Sequence, residues 1–332
     1  MKIFITMPHA PIPDSFFTSE IMEALKCVGE VERNPYERDL TAEEIITMAK
    51  DAEILLTGWG TCHLEKSIVA ALPKLRLIAH TAGSVALLAS LDIYETGVRV
   101  ISGNDIFAQS VAEGCLCYTL SALRRIEHYT GEIRNGRWLE SGFSNQGLIG
   151  KKVGIVGFGA IAKYFLELIR WFRCEVLIYS SHLSEEEAEK YGGKKAELQE
   201  IFSSCDVVSI HSSLTPDTEG MITREMLESL RPDALLVNTS RGKVIDEQAL
   251  FELLEQERFH AALDVYAEEP LKKENPIRQC KNVLLMPHMA GPTVDMRKVV
   301  AAELAKDIQR FANNEKLVYE ITEEQAKRMT RG

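Results

Sequence analysis

Three residues in the last third of the chain carry side chains that work together chemically. Arg241 stands in Val-Asn-Thr-Ser-Arg-Gly, Glu269 in Leu-Asp-Val-Tyr-Ala-Glu-Glu-Pro, and His288 in Met-Pro-His-Met-Ala-Gly-Pro-Thr. A guanidinium grips a carboxylate through two parallel hydrogen bonds. An imidazole gives and takes a proton near neutral pH. A carboxylate beside it orients the ring and favours its charged form. The chemistry on offer is binding of a small acid and proton exchange at an oxygen. Taken singly, each residue also has an ordinary reading: Arg241 as a helix-cap donor, Glu269 as surface charge, His288 as a hydrogen-bonded loop residue.

Each of the three follows a short apolar run, at 235–238, 261–265 and 283–286. Read as parallel strands, these runs end at one rim of a sheet, where their loops gather. The same sheet begins at 151–162, Lys-Lys-Val-Gly-Ile-Val-Gly-Phe-Gly-Ala-Ile-Ala. Residues 153–156 read as a buried strand, and Gly157, Gly159 and Ala162 as a Gly-x-Gly-x-x-Ala turn. Ile161, Phe165, Leu168 and Ile169 then mark one face of a helix. Strand, glycine turn and helix in that order form a dinucleotide-binding fingerprint; the glycines alone would equally suit a structural turn. Gly157 permits the tight turn, Gly159 lets the backbone approach a pyrophosphate, and Ala162 keeps helix and strand close. The free N–H groups at the helix start favour phosphate. Gly157, Phe158, Gly159, Ala160 and Ile161 are therefore expected to line the cofactor. Runs at 176–179 and 205–210 complete a doubly wound sheet of six strands, with a charged helical stretch over 185–202.

The first hundred residues also alternate strands (2–6, 54–57, 75–80, 98–101) with helices (14–28, 41–50), the second opened by a capping box of Thr41 and Glu44. This βαβ rhythm predicts a second, smaller parallel sheet. Thr81-Ala82-Gly83-Ser84 follows one of its strands directly. Backbone amides at Gly83 and Ser84 suit a carboxylate as an anion nest; an ordinary βα loop is the plain alternative. A long helical pattern spans 108–129. The glycine-rich, polar 130–150 segment with Trp138 reads as an arm on another subunit or as a linker. Helix 296–313 returns to complete the first domain, and the charged 315–331 stretch reads as a solvated tail or edge helix. The expected domains are 1–102 with 291–332, and 103–290.

Composition bounds the partners. The 332 residues, 45% hydrophobic and 26% charged, are those of a globular protein large enough for two cores. A net charge of −11 argues against nucleic acid or an anionic membrane, which demand basic surfaces, while a local positive pocket can still hold a small anion. The seven cysteines form no Cys-x-x-Cys pair and no zinc spacing, so no metal is expected, and reduced thiols in a cytoplasmic protein are the reading. Pro8, Pro11 and Pro13 cut short the first apolar run, and no apolar run reaches the length of a membrane span.

Through Gly-Phe-Gly-Ala-Ile-Ala, Asn-Thr-Ser-Arg-Gly, Leu-Asp-Val-Tyr-Ala-Glu-Glu-Pro and Pro-His-Met-Ala-Gly, the chain resembles the D-isomer-specific 2-hydroxyacid dehydrogenase family, on its glyoxylate and hydroxypyruvate reductase side. Val111-Ala112-Glu113 and Gly136-Arg137-Trp138 also look like family positions, whereas residues 1–70 match only in general pattern. The resemblance implies an α/β protein of two domains: a doubly wound Rossmann-type NAD(P)-binding domain and a smaller flavodoxin-like α/β substrate domain. It implies a catalytic set of Arg241, Glu269 and His288, a substrate-carboxylate loop at Gly83 and Ser84, Thr239 close to the cofactor, and Asp264 near the nicotinamide or in support of the site. The implied reaction is hydride transfer between NAD(P)H and a small anionic 2-keto or 2-hydroxy acid, in a homodimer built around the central helix and arm. Formate dehydrogenases of this fold carry glutamine where Glu269 stands. Phosphite dehydrogenases share the Arg–Glu–His set, and some relatives are corepressors that sense the nicotinamide pool; both stay open as alternatives.

One position departs from the pattern. NAD-preferring enzymes place an acid about 20 residues past the glycines to hold the ribose 2′-hydroxyl. Here Tyr179 is followed by Ser180, Ser181 and His182, with neither acid nor arginine. Ser180, Ser181 and His182 can hydrogen-bond a phosphate and repel neither nucleotide, so NAD or NADP is expected, with a lean to NADP.

Overall fold

Short runs of branched apolar residues, flanked by polar turns, generate the first sheet. In the computed structural model, which describes residues 1–140 and 142–330, its strands are β1 (Lys2–Ile5), β2 (Glu30–Arg33), β3 (Ile54–Thr57), β4 (Leu77–His80) and β5 (Arg99–Ser102). They pair all-parallel in the order β2-β1-β3-β4-β5, the flavodoxin-like winding. This sheet belongs to one compact unit, Met1–Phe107 with Pro292–Gly332. The pleat sorts the side chains between its faces. Ile3 and Ile5 pack with Leu25, Val300 and Leu304 from helices Ser19–Lys26 and Val294–Ala312, whereas Phe4 packs with Ile45 and Ile68 from Ala42–Met48 and Lys66–Ala70. The Thr41–Glu44 capping box is present.

Three expectations for this unit need correction. β2, Glu-Val-Glu-Arg, was not expected as a strand; it is an edge strand paired only with β1, and edge strands tolerate charge. The 14–28 helix is two pieces, Pro11–Asp14 and Ser19–Lys26, because Phe16 and Phe17 between them turn into the core. Of the two readings of the 315–331 stretch, the solvated tail fails and the edge helix stands, as the short helix Glu323–Lys327. Ser102 N donates to Tyr319 O at 3.1 Å and Ile321 N to Val100 O at 2.9 Å. Arg99 grips Glu320 through two bonds of 2.6 and 2.7 Å. The fully buried Asp307 accepts from the backbone N–H groups of Val318 and Tyr319 and pairs with Arg310 at 2.8 Å. Arg331 lies outside the described residues.

The other unit, Ala108–Gly291, contains β6 (Lys152–Val156), β7 (Glu175–Tyr179), β8 (Gly193–Lys195), β9 (Val207–Ile210), β10 (Leu235–Asn238), β11 (His260–Leu263) and β12 (Val283–Leu285). They form a parallel sheet in the order β12-β11-β10-β9-β6-β7-β8, so the winding reverses between β6 and β9. Seven strands stand where six were expected. The extra one, β8, lies inside the 185–202 stretch, which is not one helix but Glu185–Lys190, β8 and Leu198–Ser204. Gly192, left-handed at φ +76°, ends the first piece.

The 108–129 pattern is likewise two helices, Asn104–Leu123 and Ile126–Arg134, parted by Arg125 at φ +51°. By length and composition Asn104–Leu123 would suffice to cross a bilayer, but half of its apolar stretch is buried, with Ala112, Cys115, Tyr118 and Leu123 inside the core of the Ala108–Gly291 unit. In the 130–150 segment, of which Ser141 lies outside the described residues, Trp138 and Phe143 are exposed.

His80, at the end of β4, makes stability depend on pH. The ring is buried with Nδ1 3.0 Å from Thr57 Oγ1, and burial lowers its pKa from 6.5 to about 4. Between those values the unfolded chain takes up a proton that the folded chain refuses, so the stability contribution is complete above pH 6.5 and is lost on acidification toward pH 4. We expect His80→Asn to reduce the pH slope of urea-unfolding stability over that window by up to about 1.4 kcal/mol per pH unit. An unchanged slope would contradict the assignment.

Candidate active site

The rim at the carboxyl ends of β6 to β12 carries the chemistry. At β6, Gly157 adopts φ +97°, and a Cβ there would stand 2.6 Å from Ser212 N, so the turn admits only glycine. Its N–H is held by Tyr179 O at 2.8 Å. Gly159 is the N-cap of the ten-residue helix Ala160–Ile169, and no side chain caps that end. A Cβ on Gly159 would meet nothing within 4 Å, so the space in front of the first-turn amides of Ala160 and Ile161 is open. Uncapped amides beside a glycine with open space at its Cβ position fit the pyrophosphate of a dinucleotide. Phe158, between the two glycines, meets Tyr191 edge to face at 5.3 Å. Ser180 and Ser181 follow β7 as expected, the first half-buried and the second exposed, and Thr239 follows β10 and is buried.

Around the far end of the rim, backbone bonds set the side chains. Asn238, the last residue of β10, accepts from Ser240 N at 3.0 Å and donates to Arg241 O at 3.0 Å, which clamps the turn that presents Arg241. Burial lowers the Arg241 pKa, and the charge of Glu269 opposes that shift. After β11, Glu269 Oε1 accepts from Tyr266 N at 3.0 Å while Oε2 lies 2.7 Å from His288 Nδ1. After β12, His288 itself is left-handed, at φ +56°. Its N–H donates to Asp264 O at 2.8 Å, and the Asp264 carboxylate accepts from Met289 N at 2.7 Å and Ala290 N at 2.8 Å. Burial raises the Asp264 pKa, with the two amides opposing it.

The structure thus brings Glu269 and His288 into direct contact and sets the charge of Glu269 to act on Arg241. It spends both oxygens of Asp264 on the loop that carries His288. Gly83 and Ser84 lie in the other unit. There Gly83 O accepts from Ser102 Oγ at 2.8 Å, and the Ser84 hydroxyl donates to Thr330 O at 2.8 Å. Sequence reasoning missed the Asn238 clamp and Glu247, a half-buried acid that accepts from Ala267 N at 2.6 Å and is pushed up in pKa by burial. Neither left a signal beyond an amide or an acid at a strand or helix end.

Sheets wound in this order around such a turn bind dinucleotides, and Arg241 and the Glu269-paired imidazole of His288 follow strands of that same sheet. Residues 116–290 match the model of the D-isomer specific 2-hydroxyacid dehydrogenase NAD binding domain. Glyoxylate reductase of Thermococcus kodakarensis is 30% identical over 325 residues, 95% of this chain and 94% of that protein. D-3-phosphoglycerate dehydrogenase of Methanocaldococcus jannaschii is 30% identical over 317 residues, 95% of this chain but 58% of the longer relative. The solved glyoxylate reductase of Paecilomyes thermophila shares the fold, with a TM-score of 0.81 over 98% of this chain and 99% of that one at 21% identity. The chain belongs to the D-isomer specific 2-hydroxyacid dehydrogenase family.

The Gly157 turn is the most demanding position of the nucleotide end. Gly157→Ala is expected to cost roughly 2–4 kcal/mol, from the left-handed backbone and the collision with Ser212. Denaturant unfolding measures the loss, and wild-type stability in that variant would refute the geometry.

Proposed function

We propose that this chain interconverts a small 2-keto acid and its D-2-hydroxy acid, with NADH or NADPH as the hydride partner and a lean to NADPH. The observation that carries the reading is the 2.7 Å contact of His288 Nδ1 with Glu269, on the sheet rim that also bears Arg241. The cofactor, when bound, supplies or accepts the hydride. The Arg241 guanidinium grips the substrate carboxylate and draws electron density from the reacting carbonyl. With Nδ1 committed to Glu269, the other ring nitrogen, Nε2, is the one that faces substrate. It gives its proton to the oxygen that becomes the hydroxyl, and takes it back in the reverse direction. Glu269 balances the imidazolium, while Asp264 and Asn238 hold the loops. Thr239 is assigned to the cofactor side, and the amides of Gly83 and Ser84 to a substrate carboxylate.

The names of the relatives, glyoxylate reductase and D-3-phosphoglycerate dehydrogenase, support a short 2-keto acid as substrate. The exposed apolar side chains Ile133, Trp138, Phe143 and Ile149 support a homodimer that covers them. A cytoplasmic setting agrees with the seven free cysteines.

Proton transfer of this kind is worth roughly 10²–10⁴ in rate. His288→Asn should lose kcat by about that factor with glyoxylate, hydroxypyruvate or pyruvate, followed by the near-ultraviolet absorbance of the reduced cofactor, while nucleotide binding persists. Near-normal turnover would rule the role out. Ser180→Asp places a negative charge after β7 and should shift the KM ratio toward NADH over NADPH; an unmoved ratio would mean that the ribose pocket lies elsewhere.

A further inference from the structure

The loop after β7 leaves a gap in charge. Ser180, Ser181 and His182 supply neither the carboxylate that grips a ribose diol nor the arginine that grips a 2′-phosphate. Both charges are nevertheless present beside that loop. Lys163, in the first turn of the fingerprint helix, reaches Glu187, with Nζ to Oε1 at 3.1 Å. Glu187 belongs to Glu185–Lys190, the helix into which the 180–183 loop runs, and its N–H donates to the capping Ser184 Oγ at 3.1 Å. The ammonium also sits over two aromatic rings, 4.8 Å from the centre of Phe158 and 5.7 Å from that of Tyr191. Such a platform fixes a cation that would otherwise sweep through solvent. Phe158 is the residue between the two glycines of the turn. The cation is therefore pinned between the fingerprint and the helix that follows the ribose-side loop. The side chains of Lys163 and Glu187 are 35% and 40% exposed, so both are open to a ligand.

We propose that the Lys163–Glu187 pair sets the choice between NADPH and NADH: Lys163 takes the 2′-phosphate, Glu187 takes the 2′-hydroxyl, and in the pair each restrains the other. The assignment rests on the nicotinamide-dependent reading above. A lysine is a compact, strongly hydrated point charge that suits phosphate. Glu187 repels that phosphate and, freed of Lys163, accepts from a ribose hydroxyl. The two residues therefore push the preference in opposite directions, which a purely structural ion pair would not do.

The test measures dissociation constants of NADPH and NADH by nucleotide fluorescence on the full chain and on three variants. Lys163→Gln is expected to weaken NADPH relative to NADH about tenfold, the weight of one charge-assisted hydrogen bond. Glu187→Gln is expected to move the ratio the other way, and Lys163→Arg, which keeps the charge, to hold the wild-type ratio. The proposal is overturned if both neutral variants leave the ratio unmoved or shift it in the same direction, as shared damage to the helix contact would. If the wild-type chain binds neither nucleotide, the dehydrogenase reading falls with it; if the wild type binds and only the ratio is insensitive, this assignment alone falls.

Discussion

The buried carboxylate of Asp264 is the constraint on which the loop carrying His288 depends. Only 1% of the residue is exposed, and its oxygens are shared between the amides of Met289 and Ala290. A carboxylate taken out of water is costly unless it is hydrogen-bonded, so the loop after β12 and the end of β11 are bound to each other. The carbonyl of the same residue takes the His288 N–H. Three bonds from one position thus hold His288 in a left-handed backbone that costs on the order of 1 kcal/mol or more for a non-glycine residue. The imidazole meets Glu269 because the backbone puts it there, so the geometry of the pair is preorganised.

The same economy applies at Arg241. Asn238 closes the turn after β10 with its side-chain amide, and the guanidinium projects from that turn into partly buried surroundings. Burial opposes the positive charge, and Glu269 restores part of what burial takes away. One carboxylate therefore acts on two partners, by contact on the imidazole and through space on the guanidinium. Burial around Arg241 strengthens the second effect, whereas the His288 and Glu269 side chains are 46% and 34% exposed.

Much of the architecture was legible in the sequence because buried parallel strands are apolar at most of their residues. β3, β4, β9 and β10 are of this kind. The ends of β10, β11 and β12 also marked where Arg241, Glu269 and His288 would stand. Two edge strands escaped for the complementary reason. β2 and β8 carry Glu, Arg and Lys, pair on one side only, and show no apolar period. In the 315–330 stretch charge suggested solvent or an edge helix; the helix Glu323–Lys327 is there, but the pairing of Glu320 with Arg99 and of the backbone with the sheet left no sign in the sequence. In the candidate site, Asp264, Asn238 and Glu247 act mainly through bonds to backbone amides, which leave no trace in spacing or composition.

The first unit is assembled from both ends of the chain. Ile3, Leu25 and Ile101 share one core with Val300, Leu304 and Ile308 from the returning helix. A nascent chain that has just emerged through residue 107 therefore lacks the helix that covers one face of its sheet. Translation at about 5–20 residues per second makes it wait on the order of ten seconds or more. The Ala108–Gly291 unit, contiguous in sequence, is synthesised during that interval, and the opening segment gains the cover of Val294–Ala312 only after it.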